Sequence, residues 1–198
     1  MMRFVLGVLT GGVAFVLLAF AGVAFLSGPK AEGERIDVAT RTCAEILAAE
    51  YRPKAGPLLI WMAGYHAKAE QRSIVDLQAL RTDIVRTLDY CQSHGTAKIL
   101  EASVRFMGEN ATTPAADAID LSEMTCRTVL SAETPEEKIR VGQLIFWLAG
   151  HHARNARSTV LDEGAMFARL YDAGQECLGA PDEKLMPIAE KHLQPNMS

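Results

Sequence analysis

Four cysteines, at positions 43, 91, 126 and 177, are the residues whose chemistry is most sharply bounded by their spacing. None stands in a C-x-x-C or C-x-x-C-H pair, so the usual spacings for zinc, iron–sulfur, dithiol redox and c-type haem sites are missing. An even cysteine count in an exported chain points instead to disulfides, and four cysteines allow three connectivities. His151 and His152 are adjacent. Neighbours on a helix point about 100° apart, so they cannot chelate one metal as an i, i+4 pair would, and no metal or other cofactor is expected. His66, His151 and His152 are better candidates for pH sensing, because histidine titrates near pH 6.5. The acids Glu133, Glu136, Glu137, Asp162, Glu163, Asp182 and Glu183 fall where helices should begin, which the helix dipole explains. No ordered nucleophile, base and acid set and no phosphate loop is present, so no catalytic residue is assigned and the chain reads as a non-enzyme.

Export is expected from the first residues. Met1-Met2-Arg3 precedes an uncharged, mostly apolar run from Phe4 to Leu26, long enough to cross a bilayer at about 1.5 Å per helical residue. Residues 1–27 therefore read as a membrane anchor or a signal peptide: the length favours the anchor, and Ala19-Phe20-Ala21 offers a cleavage pattern. With Arg3 set aside, 19 basic residues face 24 acidic ones, a net charge of −5. No basic run suited to phosphates appears, so nucleic acid is not an expected partner.

The elements that must position these residues come twice. Trp61-Met62-Ala63-Gly64-Tyr65-His66-Ala67-Lys68 aligns with Trp147-Leu148-Ala149-Gly150-His151-His152-Ala153-Arg154 at an offset of 86. Extended to Asp76 and Asp162, the block holds six identities and five conservative changes. The same offset maps Cys91 onto Cys177, and Cys43 maps onto Cys126 after three residues are inserted, which should lengthen the loop around Thr134-Pro135-Glu136-Glu137. This period is a domain duplication. If each copy folds as one unit, the economical pairing is Cys43–Cys91 and Cys126–Cys177, each closing a loop of about 50 residues worth roughly 4 kcal/mol. For domains of about 70 residues with small cores, such a contribution matters.

Each copy reads as four helices, with no alternating run that argues for strands. Thr42-x-x-Glu45 is a capping box, Pro53 opens a helix running towards Lys68, and Asp76 caps a third over Leu77, Leu80, Ile84, Leu88 and Cys91. Residues 96–107 supply the fourth, and the second copy answers near 123–132, 135–154, 162–178 and 182–193. The divisions are a leader (1–27), a linker (28–40), a first domain (41–107), a polar linker (108–120) and a second domain (121–198). Asn110-Ala111-Thr112, a formal glycosylation acceptor, falls in that second linker. Trp61 and Trp147, with Gly64 and Gly150 one turn on, suggest core packing at a close helix crossing beside the disulfide.

Thr42-Cys43, Trp61-Met62-Ala63-Gly64-Tyr65, Asp76 and Cys91, answered by Thr125-Cys126, Trp147-Leu148-Ala149-Gly150-His151, Asp162 and Cys177, resemble the HdeA/HdeB acid-stress chaperone family from Arg41 to Leu193. The resemblance implies an all-α protein of two tandem, disulfide-closed HdeA-like domains in the periplasm. It also implies no enzyme site, unfolding envelope proteins as partners at low pH, and association between copies. Trp61, Gly64, Trp147 and Gly150 would then serve as core at neutral pH and as client contacts after opening. The chain departs from the family in being a covalent tandem behind a membrane-length leader, which also suits a membrane-tethered interaction module without chaperone activity. Full protonation would take the exported part from −5 to +24, counting five histidines, and such self-repulsion loosens a compact state.

Overall fold

The computed structural model describes residues 33–67, 73–109, 113, 115–116 and 118–193. The apolar run 4–26, the Asn110-x-Thr112 triplet and Lys68 lie outside the described residues. Among the described residues, no helix is long and apolar enough to cross a membrane.

In chain order the elements are β1 (Arg35–Asp37), α1 (Cys43–Leu47), α2 (Arg52–His66), β2 (Ile74–Val75), α3 (Leu77–Ser93) and α4 (Ile99–Ser103), the last running into a π-helical turn, Val104–Glu109. Then come β3 (Ile119–Asp120), α5 (Cys126–Leu130), α6 (Pro135–Asn155), β4 (Val160–Asp162), α7 (Glu163–Gly179) and α8 (Leu185–Leu193). The fold is all-α in its bulk; aspartates in equivalent places start α3 and α7, whereas the capping box that starts α1 has no counterpart at Thr125, before α5. Thr42 and Glu45 close a capping box on α1, Asp76 accepts from Gln78 N and Ala79 N at α3, and Asp162 accepts from Ala165 N at α7. A disulfide joins α1 to α3 through Cys43 and Cys91, and another joins α5 to α7 through Cys126 and Cys177. In each half α1 or α5 is also held by the loop before the last helix: Cys43 N donates to Ala97 O and Cys126 N to Glu183 O, both at 2.9 Å.

Two expectations are corrected. The three inserted residues do not lengthen a loop. Four residues separate α1 from α2 and four separate α5 from α6, and the insertion appears as an earlier start for α6, whose Thr134–Glu137 capping box and Pro135 draw the chain into helix at once. Strands are also present, although two or three residues are too few to display alternation. Ile36 pairs with Leu161 in an antiparallel β1–β4 ladder, and Val75 pairs with Ile119 in β2–β3. Residues 35–37 and 119–120 therefore belong to ladders, although the sequence reads them as linker, and Ile36, Val38 and Leu121 are fully buried.

Both ladders join one half to the other, in mirror roles. Val38 N donates to Thr159 O at 3.0 Å, and its equivalent Leu121 N donates to Ser73 O at 2.7 Å. The largest contact, between α2 and α6, repeats this reciprocity. A methyl group on Gly64 would overlap the Trp147 carbonyl oxygen and lie 2.7 Å from its carbon, and one on Gly150 would do the same to Trp61. Each glycine thus lets the other helix's backbone touch its own, as in an isologous two-fold interface made within one chain.

Because the obstacle is backbone rather than a movable side chain, Gly64→Ala or Gly150→Ala should cost about 3 kcal/mol or more. Gly56→Ala, also in α2 but with nothing within 4 Å of the added methyl, is expected to change stability by about 1 kcal/mol or less, in the stabilising direction. Urea unfolding of the three variants reads the difference; equal effects at Gly56 and Gly64 would refute the close crossing.

Candidate functional site

The α2–α6 crossing gathers most of the residues singled out from the sequence. Trp61 is 1 % exposed and stacks on Tyr65, with ring centroids 5.5 Å apart. Its equivalent Trp147 is 5 % exposed and stacks on His151 at 5.6 Å. Gly64 and Gly150 lie between these stacks, against the opposite helix, so the close crossing joins the two halves. The four cysteines form separate intradomain bridges in α1–α3 and α5–α7.

The histidines follow from the same geometry. His66 stands two residues after Gly64, and His152 two residues after Gly150, about 200° around each helix from the glycine. Each is thereby turned away from the crossing and towards its own half. His66 Nε2 lies 2.9 Å from Ser103 Oγ of α4, while Ser103 donates its own proton to Leu100 O at 2.8 Å. The serine must therefore accept, which makes Nε2 of His66 the protonated nitrogen. His152 is 3 % exposed, and neither of its ring nitrogens has a hydrogen-bond partner among the described residues. The offset of 86 explains the difference, since the residue equivalent to Ser103 is Ala189.

Burial pushes both imidazoles down to about pKa 4, with the Arg154 charge adding to the effect at His66 and His151 at His152. Several carboxylates move down as well. Backbone N–H groups of Ala115 and Ala79 lower Asp76, and Lys191 and His192, hydrogen-bonded to Glu176 at 2.6 Å each, lower that group.

Beside His66 lies a depression of about 650 Å³, lined by Tyr65, Leu100, Val104, Gly108, Arg154 and Arg157 and wide open to solvent. Arg154 is already used there, as Nη1 donates to Ala67 O beyond the end of α2, tying the second half to the first. Among the described residues, no group of three or more His, Cys, Asp or Glu could hold a metal ion. Sequence reasoning missed Ser103, Ala189 and Arg154, which become partners only through long-range packing. Applying the repeat offset to the neighbours of the histidines is the signal that would have exposed the Ser103/Ala189 difference.

Comparison with known proteins gives one match: the family model described as HdeA/HdeB family aligns with residues 11–101. It ends within α4, so the second half lies outside the match. No curated protein and no solved structure matches the chain.

A histidine whose folded pKa lies below its unfolded value binds its proton more readily when the chain unfolds. Its stabilising effect is full above about pH 6.5 and is lost as the pH falls towards about 4, by on the order of 3 kcal/mol for each of the two imidazoles. The lowered carboxylates act later, since their contribution is present above their unfolded values near 4 and is lost as pH falls through their lower folded values. Urea unfolding at about pH 4.5 should therefore show a stability several kcal/mol below that at pH 7. Equal stability at the two pH values would mean that the histidines are not held neutral.

Proposed function

We propose, from the premise that the chain belongs to the HdeA/HdeB family through residues 11–101, that it is an acid-stress holdase of the periplasm. The family is one of acid-stress chaperones rather than enzymes, and no catalytic role is proposed for any residue. In this reading residues 41–107 and 121–198 are two HdeA-like units that close on each other at neutral pH. Acid separates them, and the apolar surface around Trp61, Gly64, Trp147 and Gly150 then takes up segments of other unfolding envelope proteins. Residues 4–26 would lead the chain across the inner membrane or hold it there.

The observation that carries this reading is the reciprocal crossing, with both tryptophans buried beneath it and, two residues beyond the glycines, part-buried His66 and buried His152, whose surroundings favour the neutral ring. Such an arrangement is most stable near neutrality and loses stability in steps as protons are added. Positive charge then accumulates on the exported part, up to +24 at full protonation, which keeps an opened apolar surface soluble. The disulfides Cys43–Cys91 and Cys126–Cys177 would limit the opening, leaving each half a tethered framework from which the closed state can re-form. Because the two faces are on one chain, opening and reclosing are unimolecular. The trigger would therefore be independent of protein concentration, whereas an interface between separate copies would open more readily on dilution.

The test is light scattering from an acid-sensitive, unrelated protein held at about pH 3 and at pH 7, with and without the purified full-length chain. Suppression of aggregation at the lower pH alone is expected, with the same pH dependence at widely different chain concentrations. No suppression at either pH, together with a native near-ultraviolet signal in acid, would point to a membrane-tethered module for a folded partner.

A further inference from the structure

We propose that the client-binding surface in the second half is the slot occupied by α8, and that protonation of His152 is what releases α8 from it. This deepens the holdase reading and rests on it.

The argument starts from the two-fold relation between the halves. His66 and His152 occupy equivalent places, each about 200° around its helix from its interface glycine; His66 reaches Ser103 of the last helix of its own half, and by the repeat His152 is set against α8. In the first half that helix offers Ser103, and the neighbouring depression is open to water. Nε2–H of His66 already donates to Ser103, so an added proton goes to Nδ1, on a ring that lines the open depression, and the bond to Ser103 is kept. In the second half the equivalent residue is Ala189, itself 3 % exposed, and both nitrogens of His152 are buried without a partner among the described residues. A proton added there has no acceptor and no solvent unless α6 and α8 part. A buried imidazole with no hydrogen bond is already costly, and its charged form is much more so.

Among the described residues the surroundings offer no compensating charge. On its own helix the adjacent titratable group is His151, whose ring lies 5.6 Å away and would itself add positive charge. Across the crossing, α2 ends in Tyr65 and His66, and its Lys54 is paired with Glu34. On α8, Lys191 and His192 are both engaged by Glu176 of α7, and Glu190 is exposed. Among the described residues no ion pair joins a carboxylate to His152.

The way α8 is held favours release as a flap. Its first residue is anchored, Leu185 N donating to Met124 O at 2.9 Å. Its far end is held by Glu176 through Lys191 and His192, a clamp that weakens when the carboxylate is protonated. Between these points Leu185, Ile188, Ala189 and Leu193 bury one apolar face on α6 and α7. Charging His152 and losing the Glu176 clamp would both act to free the same helix. The vacated slot has the shape of its former occupant. It suits a helical client segment of about nine residues with apolar side chains three to five positions apart, the helix-in-groove mode of recognition. The α8 peptide itself is such a segment.

Hydrogen exchange of the full-length chain, corrected for intrinsic rates and read at residues 185–193 and 99–103 between pH 7 and about pH 3, separates the two halves. Protection of 185–193 is expected to fall at a higher pH than that of 99–103. His152→Leu should lower the pH midpoint of that loss by about one unit or more. Ala189→Ser, which supplies the partner that His66 has, should lower it in the same direction without removing the imidazole. A synthetic peptide of residues 185–193 should compete with client for the acid-treated chain. Simultaneous loss in both halves, or midpoints that neither substitution moves, would overturn the proposal while leaving the holdase reading intact. Release of α8 as described in a chain that never suppresses aggregation would instead retain the switch and sink the holdase reading.

Discussion

The structure depends on the contact between the backbones of α2 and α6. At Gly64 and Gly150 there is no room for a β-carbon, because the carbonyls of Trp147 and Trp61 occupy that space. This close approach brings the two tryptophan stacks together and lets the β1–β4 and β2–β3 ladders form on either side. Neither half could satisfy those ladders alone, since every paired strand has its partner in the other half. The disulfides hold each half internally, whereas the glycine crossing and the ladders hold the halves to each other. On the holdase reading, that division of labour separates what acid would leave intact from what it would open.

Much of the helical architecture was legible in the sequence, because its determinants are local or repeated. Thr42 and Glu45 announce α1, Asp76 and Asp162 announce α3 and α7, and Pro135 with Glu137 announces α6. The repeat made the pairing of the cysteines a choice with one economical answer. The ladders were not legible. Two or three residues carry no periodic signal, and their partners lie more than 40 residues away. The position of the insertion was misjudged for a related reason: a strong capping box can start a helix early as readily as it can end a loop.

The functional residues divide in the same way. Trp61, Gly64, Trp147 and Gly150 stood out as a motif, yet the sequence could not say that each glycine faces the other half's tryptophan carbonyl. His66 and His152 are equivalent in sequence, and their difference lies in what the last helix of each half provides, Ser103 or Ala189. The two histidines start from matching places in the sequence, and a single hydroxyl is enough to make one imidazole satisfied and the other costly. The likeness to the HdeA/HdeB family covers residues 11–101. The reciprocal contacts are what extend the argument to the second half.

The central claim is that the halves close on one another at neutral pH and part in acid with their disulfides intact. The most direct test is the distance between non-cysteine labels at Val85 and Leu178, two exposed apolar positions on α3 and α7. It would be followed in the full-length chain by energy transfer from pH 7 to about pH 2. A reversible lengthening, beginning in the range where the histidines charge and completed as the carboxylates protonate, is the predicted result. A distance that stays constant over the whole range would contradict the account, because the crossing would then be a fixed core rather than an acid-opened interface.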